Sequence, residues 1–508
     1  MTEPPFNPVQ NKPVVTPLAE FQGEQPHFKR AINLFDAIML VTGSMIGSGI
    51  FIVSADIARQ VGSAGWLLVV WLLTGFITMA GAISYGELAS MFPKVGGQYV
   101  YLREAFGRLT AFLYGWTLFL VIQTGVIAAV AVAFAKFTGV LLPFFSVKNL
   151  LFQAGSFEFS SVQLLAIVLI VGITALNARG VRTGKLIQNV LGSTKLVALA
   201  LLIVFGVALG LNHEAIQLNF ADLWTATRHP APGVSAPVLP ISGSGLLIAI
   251  GMAMTGSLFS SDSWNNIGFA GEEIQNPERT LVRSMAIGTA IVTALYILIN
   301  VVYLLVLPLH GTPEAATVAG RGIQYATDDR VATAVAESVL GKAGAYVMAV
   351  LIMLSTFGAN NGIILSGARA YFAMAKDGLF FPGLARLNGA GVPGRALWAQ
   401  CLWACLLCLS GSYGQLLNYV MFSVILFYVV TIIGIFVLRR TRPEAPRPYR
   451  AWGYPLVPGV YILLATTFCV ILLIAPDTAE FSRRGLGLVA LGLPVYFLFG
   501  KRFGGRTA

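Results

Sequence analysis

Two stretches of this chain place glycine, serine and acid where an apolar helix should continue. The first is Gly43-Ser44-Met45-Ile46-Gly47-Ser48-Gly49-Ile50-Phe51. The second is Gly256-Ser257-Leu258-Phe259-Ser260-Ser261-Asp262-Ser263-Trp264-Asn265-Asn266. Glycine inside a helix costs ~1 kcal/mol relative to alanine, so Gly43, Gly47 and Gly49 so close together signal an unwound backbone. The N–H groups of Gly47, Ser48 and Gly49 suit a carboxylate, helped by the half-helix N-terminus that follows them. Freed carbonyls of the second break suit an ammonium. Together the breaks match the two charged ends of a zwitterion, an α-amino acid. Close packing of helices through small residues is the competing reading of the first break. The second break, in a corresponding position, favours a site.

Further residues carry a choice of roles. Phe259 and Trp264 either wall a side-chain pocket or pack as ordinary aromatics. Asp262 either binds an amine or a proton, or caps local backbone N–H groups. Lys195, within Gly192-Ser193-Thr194-Lys195-Leu196, puts a charge inside an apolar stretch. Such a charge marks function when it faces the protein interior, and snorkels to the surface otherwise. Glu272 and Glu273 follow the second break without a nucleophile or metal ligand, so the pair reads as a gate or as a salt bridge to an arginine such as Arg182. Asn360, Asn361 and Ser366 face either a cavity or neighbouring helices. Cys401, Cys405, Cys408 and Cys469 fall in apolar segments, so neither a disulfide framework nor a metal site follows. No cofactor fingerprint appears.

The elements that hold these residues are membrane helices. Of 508 residues, 56% are hydrophobic and 11% charged, and mean hydropathy is +0.77. A soluble domain carries about 25% charged residues. About twelve stretches reach the ~20 residues needed to span a bilayer, near 33–60, 66–91, 107–141, 162–178, 189–211, 245–270, 282–308, 333–375, 396–411, 415–438, 456–475 and 485–500. The first break falls in the first span and the second in the sixth. The expected organisation is an arm over 1–28, five spans over 29–211, a long loop over 212–244, five more over 245–438, and two last spans with a tail over 439–508. An odd number of spans per half inverts the second half relative to the first. Lysine and arginine concentrate on the side that also holds both termini, as in Arg439, Arg440, Arg442 and Arg447. By the positive-inside rule both termini are expected in the cytoplasm. The net charge of +11 is therefore topological, and no nucleic acid partner is expected. Residues 1–28 are polar and proline-rich without an apolar core, so no cleavable signal peptide is expected.

Taken together these residues resemble the amino acid–polyamine–organocation superfamily, in the manner of a bacterial member of its L-type amino acid transporter branch. The specific pieces are Gly43–Phe51; Gly180-Val181-Arg182-Thr183-Gly184-Lys185 leading to Lys195; Asp262-Ser263-Trp264 with Glu272-Glu273 and Asn276-Pro277; Phe357-Gly358 with Arg369; and Arg447-Pro448. The resemblance implies an all-α membrane protein of twelve transmembrane helices in a five-plus-five inverted-repeat (LeuT-like) fold, with two further C-terminal helices. It implies substrate carboxylate on Gly47-Ser48-Gly49 and substrate amine on backbone near Ile46 and Phe259, with Gln123 and Val126 beside the pocket. It implies that Lys195 replaces a sodium ion, and hence sodium-independent transport of amino acids across the inner (plasma) membrane. Exchange is the first expected mechanism, and proton-coupled symport through Lys195 or Asp262 the second. A transporter-derived receptor that binds without turnover is the rival of another class. The chain departs from the family at Ser260-Ser261, where alanine and an aromatic residue are usual, so side-chain specificity stays open. Eukaryotic members of the branch join a glycoprotein subunit through a cysteine in the loop after span three. No cysteine lies there, so no disulfide-linked heavy subunit is expected.

Overall fold

The computed structural model describes residues 30 to 503, apart from 31, 156, 181–183, 231–232, 235–236 and 411–412. The arm over 1–28 and Arg182 therefore lie outside the described residues. The helices are α1 (Leu34–Met45), α2 (Ser54–Val61), α3 (Ala64–Met91), α4 (Gln98–Phe106), α5 (Arg108–Thr117), α6 (Gln123–Leu141), α7 (Ser161–Ala178), α8 (Gly184–Leu209), α9 (His213–Ala221), α10 (Gly243–Ser260), α11 (Pro277–Val306), α12 (Val318–Arg321), α13 (Val331–Lys376), α14 (Gly394–Ser410), α15 (Tyr413–Thr441), α16 (Leu456–Ile474) and α17 (Pro476–Phe503). Among the described residues, nine helical segments are long and apolar enough to cross a membrane. The chain is thus a mostly helical, multi-pass membrane protein. The strands were not expected: β1 (Leu150–Ala154) pairs antiparallel with β2 (Phe157–Ser160), and β3 (Thr227–Arg228) with β4 (Leu239–Pro240). They lie between helices, where water can solvate an open sheet edge.

Local chemistry explains where the helices around the breaks begin and end. Asn33 and Asp36 form a capping box at the start of α1, each satisfying an orphan N–H. At 12 residues, α1 rises about 18 Å, short of the ~30 Å hydrocarbon core. Ile46 leaves the helical region with ψ 86°. A single 3-10 turn, Gly49–Phe51, then leads into α2. In the second break α10 stops at Ser260, Ser263 adopts a left-handed φ of 69°, and a 3-10 segment runs from Trp264 to Glu273. Left-handed Asn276 with Pro277 at the first helical position restarts the chain as α11.

The polar groups point inward and the apolar surface outward. Leu72, Val168, Val204, Leu402 and Leu463 are exposed on long helices, as lipid contact requires. Lys195, Glu87, Gln400 and Asn300 are buried. The helices α1, α3 and α8 pack on α11, and α6 and α8 on α13, so the breaks are enclosed by continuous helices. The expected eighth span is one helix of 46 residues interrupted at Gly341 (φ 66°).

Two contacts tie distant pieces together. Ile32, just before α1, pairs in parallel with Ile274, just after the second break. The N–H of Ile32 donates to Glu273 O at 3.0 Å, and Gln275 N–H donates to Ile32 O at 2.9 Å. At the end of α3, buried Glu87 accepts from Arg439 Nε at 3.0 Å, Arg439 Nη2 at 2.6 Å and Ala451 N–H at 2.7 Å. Arg447 lies 3.4 Å from the same carboxylate. The basic, proline-rich linker before α16 is therefore clasped to α3.

Candidate functional site

The two breaks meet face to face. A Cβ on Gly49 would lie 2.0 Å from Ser260 Oγ and 3.0 Å from Ser260 Cα, so only glycine lets these backbones approach. A Cβ on Gly47 would meet nothing within 4 Å. Gly47 instead borders a cavity of ≈ 330 Å³ lined by Ser44, Met45, Gly47, Gly49, Val126, Val130, Phe259, Ser260, Asp262, Ser263, Ala359 and Ile363. A second cavity of ≈ 390 Å³ adjoins it, sharing Val126, Asp262, Ser263 and Ile363 and adding Gln98, Gln123, Asn265, Asn266 and Tyr428 among others.

The unwound carbonyls are held by side chains from the surrounding helices. Lys195 on α8 is 1% exposed, and its Nζ donates to Gly43 O at 2.5 Å. The Tyr296 hydroxyl of α11 lies 3.1 Å from Met45 O and 3.0 Å from Ser260 O; its single proton serves one carbonyl at a time. Tyr303 donates to Ile50 O at 3.2 Å and Ser355 to Ile46 O at 3.4 Å. An unpaired carbonyl in a membrane interior costs several kcal/mol, and these donors remove that cost.

The expected site residues divide between the cavity walls and the surrounding packing. Ile46 and Ser48 are fully buried and do not line either cavity beside the glycines; the turn aims them into the protein. Trp264 packs edge-on against Tyr85 at 5.1 Å and tilted on Tyr428 at 5.2 Å. It lines a third cavity of ≈ 240 Å³ with Asp262, so Phe259 walls the glycine cavity and Trp264 does not. Asp262 is buried and accepts from the Tyr428 hydroxyl at 2.6 Å, a long-range partner that the local-cap reading left out. Gln123 donates to Ile363 O at 2.6 Å and to Ser366 Oγ at 3.2 Å, which turns Ser366 toward α6. Asn361 is buried, and buried Asn360 has no side-chain hydrogen bond among the described residues. Glu273 pairs with Arg369 of α13 at 3.1 Å, a salt bridge of the expected kind; Arg182 lies outside the described residues. Glu272 accepts from Val95 N–H at 3.4 Å. The cysteines are free, and among the described residues no cluster of His, Cys, Asp or Glu could hold a metal ion.

The family profile described as amino acid permease matches residues 32–491, nearly the whole described chain. The chain belongs to the amino acid permease family. It is a family of transporters, not of enzymes. The permease is 32% identical to the human large neutral amino acids transporter small subunit 2, over 92% of this chain and 80% of that one. It is 29% identical to the mouse b(0,+)-type amino acid transporter 1, over 93% of this chain and 88% of that one. It is 30% identical to the mouse Asc-type amino acid transporter 1, over 94% and 82%. Sequence reasoning missed Tyr296, Tyr303, Ser355 and Tyr428 in this permease. Their signal is faint, a hydroxyl inside an apolar helix, and their partners lie far away in the chain.

Proposed function

We propose that this permease carries amino acids across the inner (plasma) membrane by alternating access, exchanging neutral amino acids without sodium. The observation that carries the reading is the pair of unwound segments meeting around one cavity, with glycine backbone on one side and a lysine ammonium on Gly43 O. Gly47 and Gly49 offer backbone to the substrate carboxylate, and the carbonyls beside Phe259 and Ser260 offer acceptors to its ammonium. The lysine ammonium does at this junction what a bound sodium ion would do, so the junction forms without one. Three relatives named as amino acid transporters support the substrate class.

The same reading includes twelve spans in two inverted sets of five plus two, with both termini in the cytoplasm. The equivalent positions of the breaks in spans one and six support it. The chain is proposed to act without a disulfide-linked heavy subunit, since its cysteines lie at 401, 405, 408 and 469, away from the loop after span three. A relative is named as a small subunit, so a noncovalent companion is a separate question for pull-down.

Counterflow in proteoliposomes tests the reading. Vesicles loaded with unlabelled amino acid should accumulate labelled amino acid equally with and without sodium. Uptake that needs a sodium gradient would remove the lysine argument. Uptake driven by an inward proton gradient without internal substrate would favour symport, for which buried Asp262 is the candidate carrier. Binding without accumulation would make the protein a receptor.

A further inference from the structure

We propose that the hairpin of β1 and β2 is a membrane-interface anchor, lying in the headgroup layer with its apolar side chains turned into lipid. The chain over 142–160 joins the end of α6 to the start of α7. Both helices belong to segments long and apolar enough to cross a membrane, so the hairpin is held at one bilayer surface. Every residue of β1 is exposed, and the described chain buries neither of its faces. Leu150 is 39% and Leu151 41% exposed, and Leu142 and Phe144 on the approach are more so. A hairpin with one face on protein and one in water alternates apolar with polar residues. Here apolar residues follow one another and face outward, and a patch of that kind marks a protein or membrane partner.

Lipid is the partner that fits. The patch continues onto α7, where Leu164, Val168 and Val171 are exposed on a membrane-spanning helix. A polypeptide docked on one face of β1 would leave the other in water, whereas lipid surrounds both. The strand is also a poor template for pairing with another chain. Its register shifts between Leu150 and Phe152, and such a bulge bends a strand and disrupts its ladder. The backbone limits the depth. The outer edges of a two-stranded hairpin carry N–H and C=O groups outside the ladder, which hydrocarbon does not satisfy and headgroup water does. Exposed Lys148 brings an ammonium to the lipid phosphates, its stem lying along the apolar side. At the other end Gln153 Nε2 donates to Glu158 Oε1 at 3.3 Å, a polar tip that stays in water. The anchor thereby sets the height of α6, whose Val126 lines both central cavities.

Wild-type protein in vesicles of phosphatidylethanolamine and phosphatidylglycerol tests the anchor without any substitution. A lipid-dissolved carbene probe and hydroxyl radicals formed in the water on both sides are applied separately, and mass spectrometry reads the labelled residues. Phe144 and Phe152 are 56% and 57% exposed, and Phe381, in the loop after α13, is 56% exposed, so the three share one chemistry and one exposure. Phe144 and Phe152 should be oxidised at least ~tenfold less than Phe381, and the carbene should label 144–152 within about threefold of the exposed face of α7. Oxidation equal to that of Phe381 would put the hairpin in water and overturn the proposal. Protection from both probes would mean that a second copy or another polypeptide covers it, and would overturn it equally.

Discussion

The ammonium of Lys195, on α8, sits 2.5 Å from the carbonyl oxygen of Gly43, in the last turn of α1. The two residues are far apart in the chain, and the lysine is buried, so the charge is spent on this junction rather than carried to a membrane surface. Removing it leaves Gly43 O and the adjoining turn without a donor. Lys195→Ala should insert and purify as a monodisperse protein yet lose at least ~tenfold in counterflow rate, since a charged hydrogen bond is worth about 1.5–3 kcal/mol. Wild-type rates from that variant would remove the lysine's role.

Tyr296 reaches both breaks at once. Tyr296→Phe keeps the ring, which packs edge-on against Trp71 at 5.4 Å, and removes only the hydroxyl shared by Met45 O and Ser260 O. A loss of about 0.5–1.5 kcal/mol in thermal stability is expected, with a rise in KM as the pocket edge loosens. Thermal unfolding in detergent and initial rates check the two parts separately.

Gly47 and Gly49 should answer differently to the same substitution. Gly49→Ala forces a methyl into Ser260, and overpacking of this kind costs about 1–3 kcal/mol. Gly47→Ala meets open space, so the fold should survive while the methyl intrudes on the pocket. The expected pattern is lowered stability for the first, and near-native stability with raised KM for the second. Equal stability losses would contradict the geometry.

His229 and His310 lie in loops between helices, their rings 5.1 Å apart. Burial holds both below the ordinary histidine value, and for His229 the neighbouring His310 adds to it. The unfolded chain takes up these protons near pH ~6.5, while the folded chain resists. Stability contributed by the neutral pair is therefore present above about pH 6.5 and lost as pH falls below it. A thermal midpoint that drops on acidification, with a shallower drop in His310→Asn, is the expected result.

The membrane helices and both breaks were legible because their signals are local. An apolar run needs a certain length, and Gly43–Gly49 or Ser260–Ser263 is expensive inside one unless it serves a purpose. Lys195 stood out for the same reason. What stayed hidden depends on which helices lie side by side. Arg369 meets Glu273 because α13 passes that end of the second break. Tyr428 reaches Asp262 across 166 positions, and Ser355 reaches Ile46 across 309. The sequence leaves Trp264 open between pocket wall and packing aromatic; the left-handed turn at Ser263 places it among Tyr85 and Tyr428. The strands β1 and β2 span only five and four residues, too short for a periodic signal to stand out beside the long apolar helices.

The short parallel pairing of Ile32 with Ile274 has a mechanical meaning. It couples the entrance of the first interrupted helix to the exit of the other, like a crossbar between two levers. In the proposed transport cycle, tilting either one would drag its counterpart, and the two would move as one part. A disruption just ahead of Leu34, well away from any substrate contact, would therefore uncouple the levers and be felt as leak.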